Sequence, residues 1–216
     1  MDTLLQEITT WLKTMDERIV IGISGHGAAG KTTFANRLVD QLNQQQVNYM
    51  NTDPYIVSSN IRNQAIIDYT YQNENHRYKM TACHPSAHHL PSLERDIRML
   101  RDGLNLYTID THYMKSELLS SQKSVSIVEG MSVTFVNPAL FDLKIYFYTD
   151  GETEFMRRSS RDIVERGMDI NYLRQSHEER RIQYEVFMQP YSQHFDIIIK
   201  TSDEAITLEK NKFTFK

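Results

Sequence analysis

Apolar positions along the chain alternate between a helical period and short continuous runs. Leu4, Ile8, Trp11, Leu12 and Met15 fall at helical spacing, which predicts an amphipathic helix over residues 3–15. Arg18 to Ser24 is a short apolar, β-branched run, the pattern of a strand buried on both faces of a parallel sheet. Phe34, Leu38 and Leu42 at four-residue steps predict a helix over 31–46, and 47–53 reads as a second strand stopped by Pro54. Residues 55–90 are polar and rich in Tyr and His, with no strong period; a helix and a long loop are expected there. Leu93, Ile97 and Leu100 mark a helix closed by Gly103. Residues 124–129 and 143–149 read as buried strands, 152–166 as a helix stopped by Gly167, 170–187 as a further helix, and 196–200 as a last strand. The end of the tail, Lys212 to Lys216, is expected to add an edge strand. Strands alternating with helices imply right-handed crossovers, hence a three-layer α/β/α fold on a parallel sheet. No Pro/Gly/Ser linker interrupts the pattern. Residues 1–216 are therefore expected as one domain, with an N-terminal helix (1–17), a lid and following helix (about 151–190) and a C-terminal tail (201–216).

Composition narrows the classes. With 216 residues, 40% of them hydrophobic, the chain can bury a core without staples. A formal charge of −4 argues against a nucleic-acid partner. The lone cysteine, Cys83, excludes an internal disulfide and suits a reducing compartment. No window reaches the roughly 18 apolar residues that span a membrane, and the N-terminus lacks a leader pattern, so a cytoplasmic location without a membrane partner is expected. A homo-oligomer stays open. Glycine is scarce at eight residues, yet Gly22, Gly25, Gly27 and Gly30 lie within nine positions.

That cluster contains Gly25-His26-Gly27-Ala28-Ala29-Gly30-Lys31-Thr32, which fits G-x-x-x-x-G-K-[ST] at every fixed position. A buried strand leads in and an amphipathic helix follows, as a phosphate loop requires. Backbone N–H groups of such a loop surround an anion, and glycine lets them approach it closely. Lys31 supplies a point charge for the β- and γ-phosphates, and the Thr32 hydroxyl suits Mg²⁺. The motif marks a nucleoside triphosphate site.

Carboxylates at strand ends are the next candidates. Glu129 ends the run SVSIVE before Gly130, at the edge where ligands of parallel sheets bind; it is either a Mg²⁺-side carboxylate or simply solvated. Asp53 ends the second strand in the same way, either as a base for an acceptor hydroxyl or as a turn former before Pro54. From Arg157 to Arg181 there are seven arginines and no lysine. Guanidinium groups suit bidentate clamping of a transferring phosphoryl group, whereas a solvated i,i+4 ladder of Glu154, Arg158 and Asp162 explains part of the run. Cys83, His84, His88 and His89 fit no standard zinc spacing.

GISGHGAAGKTT, NTDPY, HPSA, IVEG, RRSSRDIVERG and FDIIIK occur in an order that resembles the uridine kinase/phosphoribulokinase-like P-loop kinases over about residues 18–200. The resemblance implies ATP and Mg²⁺ as cofactors and a small-molecule acceptor, by default the 5′-hydroxyl of uridine or cytidine. It implies a catalytic Asp53 with Lys31, lid arginines Arg158, Arg161 and Arg166, Thr33 beside the phosphate loop, and Thr32 with Glu129 on the metal. Tyr55, Cys83, His84 and Arg158 fall on its acceptor side. The chain departs from the pattern there. Cys83 replaces an Asp that would hold ribose hydroxyls, Met168 replaces a base-contacting Arg, Ser176 sits near a base-reading Gln, and residues 109–113 match only loosely. Another nucleoside, a sugar phosphate, or a nucleotide-binding module without acceptor chemistry are the competing expectations.

Overall fold

The computed structural model describes residues 1–43, 46–166, 169–203 and 205–215, without the side chains of 161, 162 and 164–166. Its centre is β1 (Ile19–Gly25), whose seven residues are all buried. β1 pairs in parallel with β7 (Val125–Glu129) on one side and β8 (Leu143–Thr149) on the other. β2 (Val47–Asn51) extends the sheet beyond β7, and β9 (Ile197–Thr201) extends it beyond β8. Side chains alternate across a strand. Ile19, Ile21 and Ile23 therefore face α1 (Asp2–Lys13) and α2 (Lys31–Leu42), meeting Leu5, Ile8, Phe34 and Leu38. Val20, Val128 and Tyr146 face the opposite layer, built on Leu93, Ile97 and Leu100 of α4 (Leu90–Arg101). This is the three-layer α/β/α arrangement that the alternating pattern implies.

The structure corrects three expectations. Residues 55–90 hold only a four-residue helix, α3 (Ser59–Arg62), and carry an antiparallel hairpin of β3 (Ile66–Tyr71) and β4 (Glu74–Lys79). Its turn residues, Gln72 and Asn73, both have positive φ, as a two-residue hairpin turn demands. The last strand is β10 (Ile206–Asn211), antiparallel to β9, and not the segment 212–216. Phe213 and Phe215 instead pack edge-on against Trp11. Finally, β2 stops at Asn51, and Asp53 opens a short 3₁₀ turn.

Two more short strands, β5 (Leu106–Tyr107) and β6 (Leu118–Leu119), frame the loop between them. After β8, Asp150 accepts from the Thr153 amide at 2.8 Å and so caps α5 (Gly151–Arg166). Asp169 caps α6 (Ile170–Gln183) through the amides of Asn171 and Tyr172. Gly167 and Met168 lie outside the described residues.

Ile145 sits fully buried in β8, and Ile145→Ala is expected to lower the unfolding free energy by about 2–5 kcal/mol in urea titrations. His88 gives a pH signature. Its Nε2 donates to the Ala82 carbonyl at 2.9 Å and its Nδ1 accepts from Ser132 Oγ at 2.8 Å, a neutral ring in a buried site. Burial, more than the Arg62 charge nearby, pushes it down from 6.5 to about 4. The unfolded chain binds the extra proton between those values, so stability present above pH 6.5 is lost as the pH falls through 4. Thermal midpoints should drop across that window, by the equivalent of about 3 kcal/mol, and His88→Gln should flatten the slope.

Candidate active site

Where β1 ends, the backbone must turn from a buried strand into α2. Gly25 does this at φ +143°, pressed so close to β8 that a Cβ would lie 1.9 Å from the Phe147 carbonyl oxygen. Gly30 caps α2 at φ +90°. Between them the loop lines a cleft of about 1220 Å³ with Gly27, Ala28, Gly30, Lys31, Thr32 and Thr33. Gly25, His26 and Ala29 are buried beneath it.

The parallel register brings Glu129 to this point, because Glu129 pairs with Ile23 on β1 and Asn51 on β2. Glu129 is 1% exposed. It accepts from Thr32 Oγ1 at 3.2 Å and from the Tyr49 hydroxyl at 2.9 Å, with Lys31 Nζ at 3.7 Å. Burial, then the charge and hydrogen bond of Glu129, hold the Tyr49 phenol well above its ordinary value, so it stays a donor. The solvated alternative for Glu129 is thereby removed. Thr32 and Glu129 offer two hard oxygen donors beside the phosphate loop, the donor set that Mg²⁺ prefers.

Asp53 stands exposed at the rim of the same cleft. Its amide donates to Asn51 Oδ1 at 2.8 Å, and the preceding Thr52 amide donates to the Glu129 carbonyl at 2.7 Å. The turn is thus tied to β7, and Asp53 lines the opening together with Thr111, His112 and Tyr113. Ile56, Ser58 and Arg62 complete that side. The Arg62 Nε donates to the Val57 carbonyl at 2.8 Å, and burial, then the charge of Arg180, lower its affinity for its proton.

Three acceptor-side candidates, Tyr55, Cys83 and His84, are placed elsewhere. Tyr55 is 2% exposed and donates to Asp96 at 2.5 Å, inside the layer under α4. Cys83 is fully buried in the same layer, and burial raises its thiol, so it does not reach the cleft as a ligand. Only its neighbour Ala82 lines the opening. His84 packs edge-on against Phe187 and accepts from the Ser86 amide, away from the cleft. Among the described residues, no group of three His, Cys, Asp or Glu could hold a metal ion.

The arginines divide by place. Arg157 is fixed to the Ala28 carbonyl, Thr201 Oγ1 and the Ser202 carbonyl. Arg158 and Arg180 line the cleft above the loop. The side chains of Arg161 and Arg166 lie outside the described residues. Sequence reasoning did not single out Arg180, whose Nη2 lies 3.2 Å from the place of a Cβ on Gly27. It also treated Glu154 as a solvated ladder member, whereas Glu154 is 1% exposed. The one signal available was its helical spacing from Arg158.

Comparison with known proteins bears on the family and the fold. A uridine kinase of Lactobacillus helveticus is 29% identical over 199 residues, covering 88% of this chain and 90% of that protein. Among solved structures, phosphoribulokinase from Rhodobacter spheroides shares the fold at a TM-score of 0.61 and 17% identity, over 86% of this chain and 71% of that one. A putative fructose transport system kinase from a Silicibacter species also reaches 0.61 at 14% identity, over 88% and 93%. No helix among the described residues is long and apolar enough to cross a membrane. The model of the Phosphoribulokinase / Uridine kinase family matches residues 20–207, so with its phosphate loop, parallel sheet and cleft, the chain belongs to that family of P-loop kinases.

Proposed function

We propose that residues 1–216 act as one domain that transfers the γ-phosphate of ATP to a hydroxyl of a small molecule. The observation that carries this is the placement of one exposed carboxylate, Asp53, on the rim of the cleft whose floor is Lys31, Thr32 and the loop amides. Lys31 and the amides hold the triphosphate, with Thr33 at its side. Thr32 and Glu129 would hold Mg²⁺, which supplies positive charge to the β- and γ-phosphates. Asp53 takes the proton of the acceptor hydroxyl as that oxygen bonds to the γ-phosphorus, and ADP leaves with the bridging oxygen. Arg158 and Arg180 stabilise the charge on the transferring group, and α5 with α6 exclude water from it.

The uridine kinase relatives support a nucleoside acceptor, with uridine or cytidine the first to test. A second acceptor class has its own support. Arg62 on the acceptor side feels the charge of Arg180 across the cleft, and an acceptor bearing an anionic group, such as a sugar phosphate, would relieve both.

ADP release from ATP, measured across nucleosides and sugar phosphates, tests the proposal. Acceptor-dependent turnover is expected, falling roughly 10²–10⁴-fold in Asp53→Asn while ATP binding is kept. Lys31→Ala should weaken ATP binding itself. ADP release that ignores every acceptor, or is untouched by Asp53→Asn, would mean a nucleotide-binding module or slow ATPase instead.

A further inference from the structure

Glu154 lies in the first turn of α5 and is almost wholly removed from solvent, yet it is surrounded by cations rather than by apolar groups. Arg181 Nη1 stands 3.3 Å from its Oε2, and His26 Nδ1 stands 3.4 Å from the same oxygen. Arg158 Nη1 and Arg180 Nε lie 3.6 and 3.7 Å from Oε1. One carboxylate therefore joins three guanidinium groups from two helices to a side chain of the phosphate loop. Burial alone would raise its pKa; the His26 hydrogen bond and the charges of Arg180 and Arg158 outweigh that and hold it well below the usual carboxylate range.

His26 makes the link to the loop specific. The Thr149 amide donates to its Nε2 at 2.9 Å, which leaves the proton on Nδ1, facing Glu154 and 2.9 Å from the Gly27 carbonyl. The ring packs edge-on against Tyr184, and the Arg181 guanidinium lies over the same tyrosine at 4.6 Å. The Arg180 Nε, the atom nearest Glu154, is buried at ion-pair distance from the carboxylate without a hydrogen bond. The Arg180 Nη2 and the Arg158 Cδ both come within 4 Å of the place a Gly27 Cβ would take. The Arg180 guanidinium and the Arg158 side chain thus lie against the phosphate loop.

We propose that Glu154 is a positioning residue for phosphoryl transfer: through Arg158, Arg180, Arg181 and His26 it fixes the arginines over the phosphate loop before nucleotide binds. The proposal rests on the kinase function above. A carboxylate beside phosphates opposes their binding by charge, so what Glu154 contributes is geometry and not affinity. Donors already aimed at the place where charge develops need no reorganisation during the reaction.

Glu154→Gln keeps the shape and removes the charge. ADP should bind as tightly as to the unaltered chain or more tightly, whereas the preference for a non-hydrolysable ATP analogue over ADP should fall roughly ten-fold, the loss of one charge-assisted hydrogen bond to the γ-phosphate. With an accepted acceptor, kcat should fall roughly 10²-fold, while KM for ATP rises by no more than the roughly ten-fold loss of that one contact. Should circular dichroism show Glu154→Gln unfolded, Glu154→Asp carries the test, since it keeps the charge and withdraws its reach; the same loss of discrimination is expected. Unchanged discrimination and kcat overturn the proposal. So does equal weakening of ADP and analogue with a lower thermal midpoint, the mark of a merely structural ion cluster. The nucleotide comparison uses no acceptor. A chain without acceptor turnover would therefore fail the kinase proposal, while its discrimination between the two nucleotides would still decide the role of Glu154.

Discussion

The position of β1 between β7 and β8 is the constraint on which the cleft depends. Parallel strands in register end at one edge, and the groups that follow them meet there. Gly22 pairs with Val128 and Lys144, and Gly25 pairs with Phe147, so the phosphate loop emerges one step above Glu129 and beside the end of β8. Contact at Gly25 is too close for any side chain, which couples the loop's start to the backbone of β8. Thr149, two residues further, then grips His26 from below through its amide. The loop is held by its neighbours on both sides and is free only on the face that opens to the cleft.

Charge is distributed over that frame unevenly. Buried carboxylates face inward on either side of the loop, Glu129 beneath Lys31 and Thr32, Glu154 beneath the arginines. Each turns a flexible cation into a placed one. A guanidinium is planar and always charged, so a fixed carboxylate sets its orientation as well as its position, which a lysine ammonium would not transmit. Three of the seven arginines between Arg157 and Arg181, Arg158, Arg180 and Arg181, are placed in this way.

What the sequence made legible follows the range of the interactions. The phosphate loop is local in sequence and was readable from eight residues. Glu129 was readable because the end of a buried strand is defined by its own apolar run, and Asp53 was nearly so, although the strand stops two residues sooner. The contact of Glu154 with Arg180 and Arg181 spans two helices and leaves no local pattern beyond the Arg158 spacing. Cys83 and Tyr55 were assigned by likeness of neighbouring residues, which says nothing of depth; both belong to the layer under α4. The β3–β4 hairpin escaped because its turn, Gln72-Asn73, lacks the glycine that usually marks one, and because β4 is polar throughout.

That hairpin is joined to the phosphate loop through α6. Gln183 is fully buried, and its amide oxygen accepts from the Thr81 amide and hydroxyl at 2.9 and 2.8 Å. Its amide nitrogen donates to the Lys79 carbonyl at 2.9 Å and to the Tyr69 hydroxyl at 3.3 Å. Every polar capacity of the side chain on that oxygen and nitrogen is thus spent on the segment that leads into Ala82 and the cleft. Three residues earlier on the same helix, Arg180 stands over Gly27. Positions i and i+3 share a helix face. A shift of α6 that carried Arg180 away from the phosphate loop would pull the four hydrogen bonds of Gln183 with it. One helix, α6, therefore links the arginine over Gly27 to the segment that leads into Ala82 at the cleft.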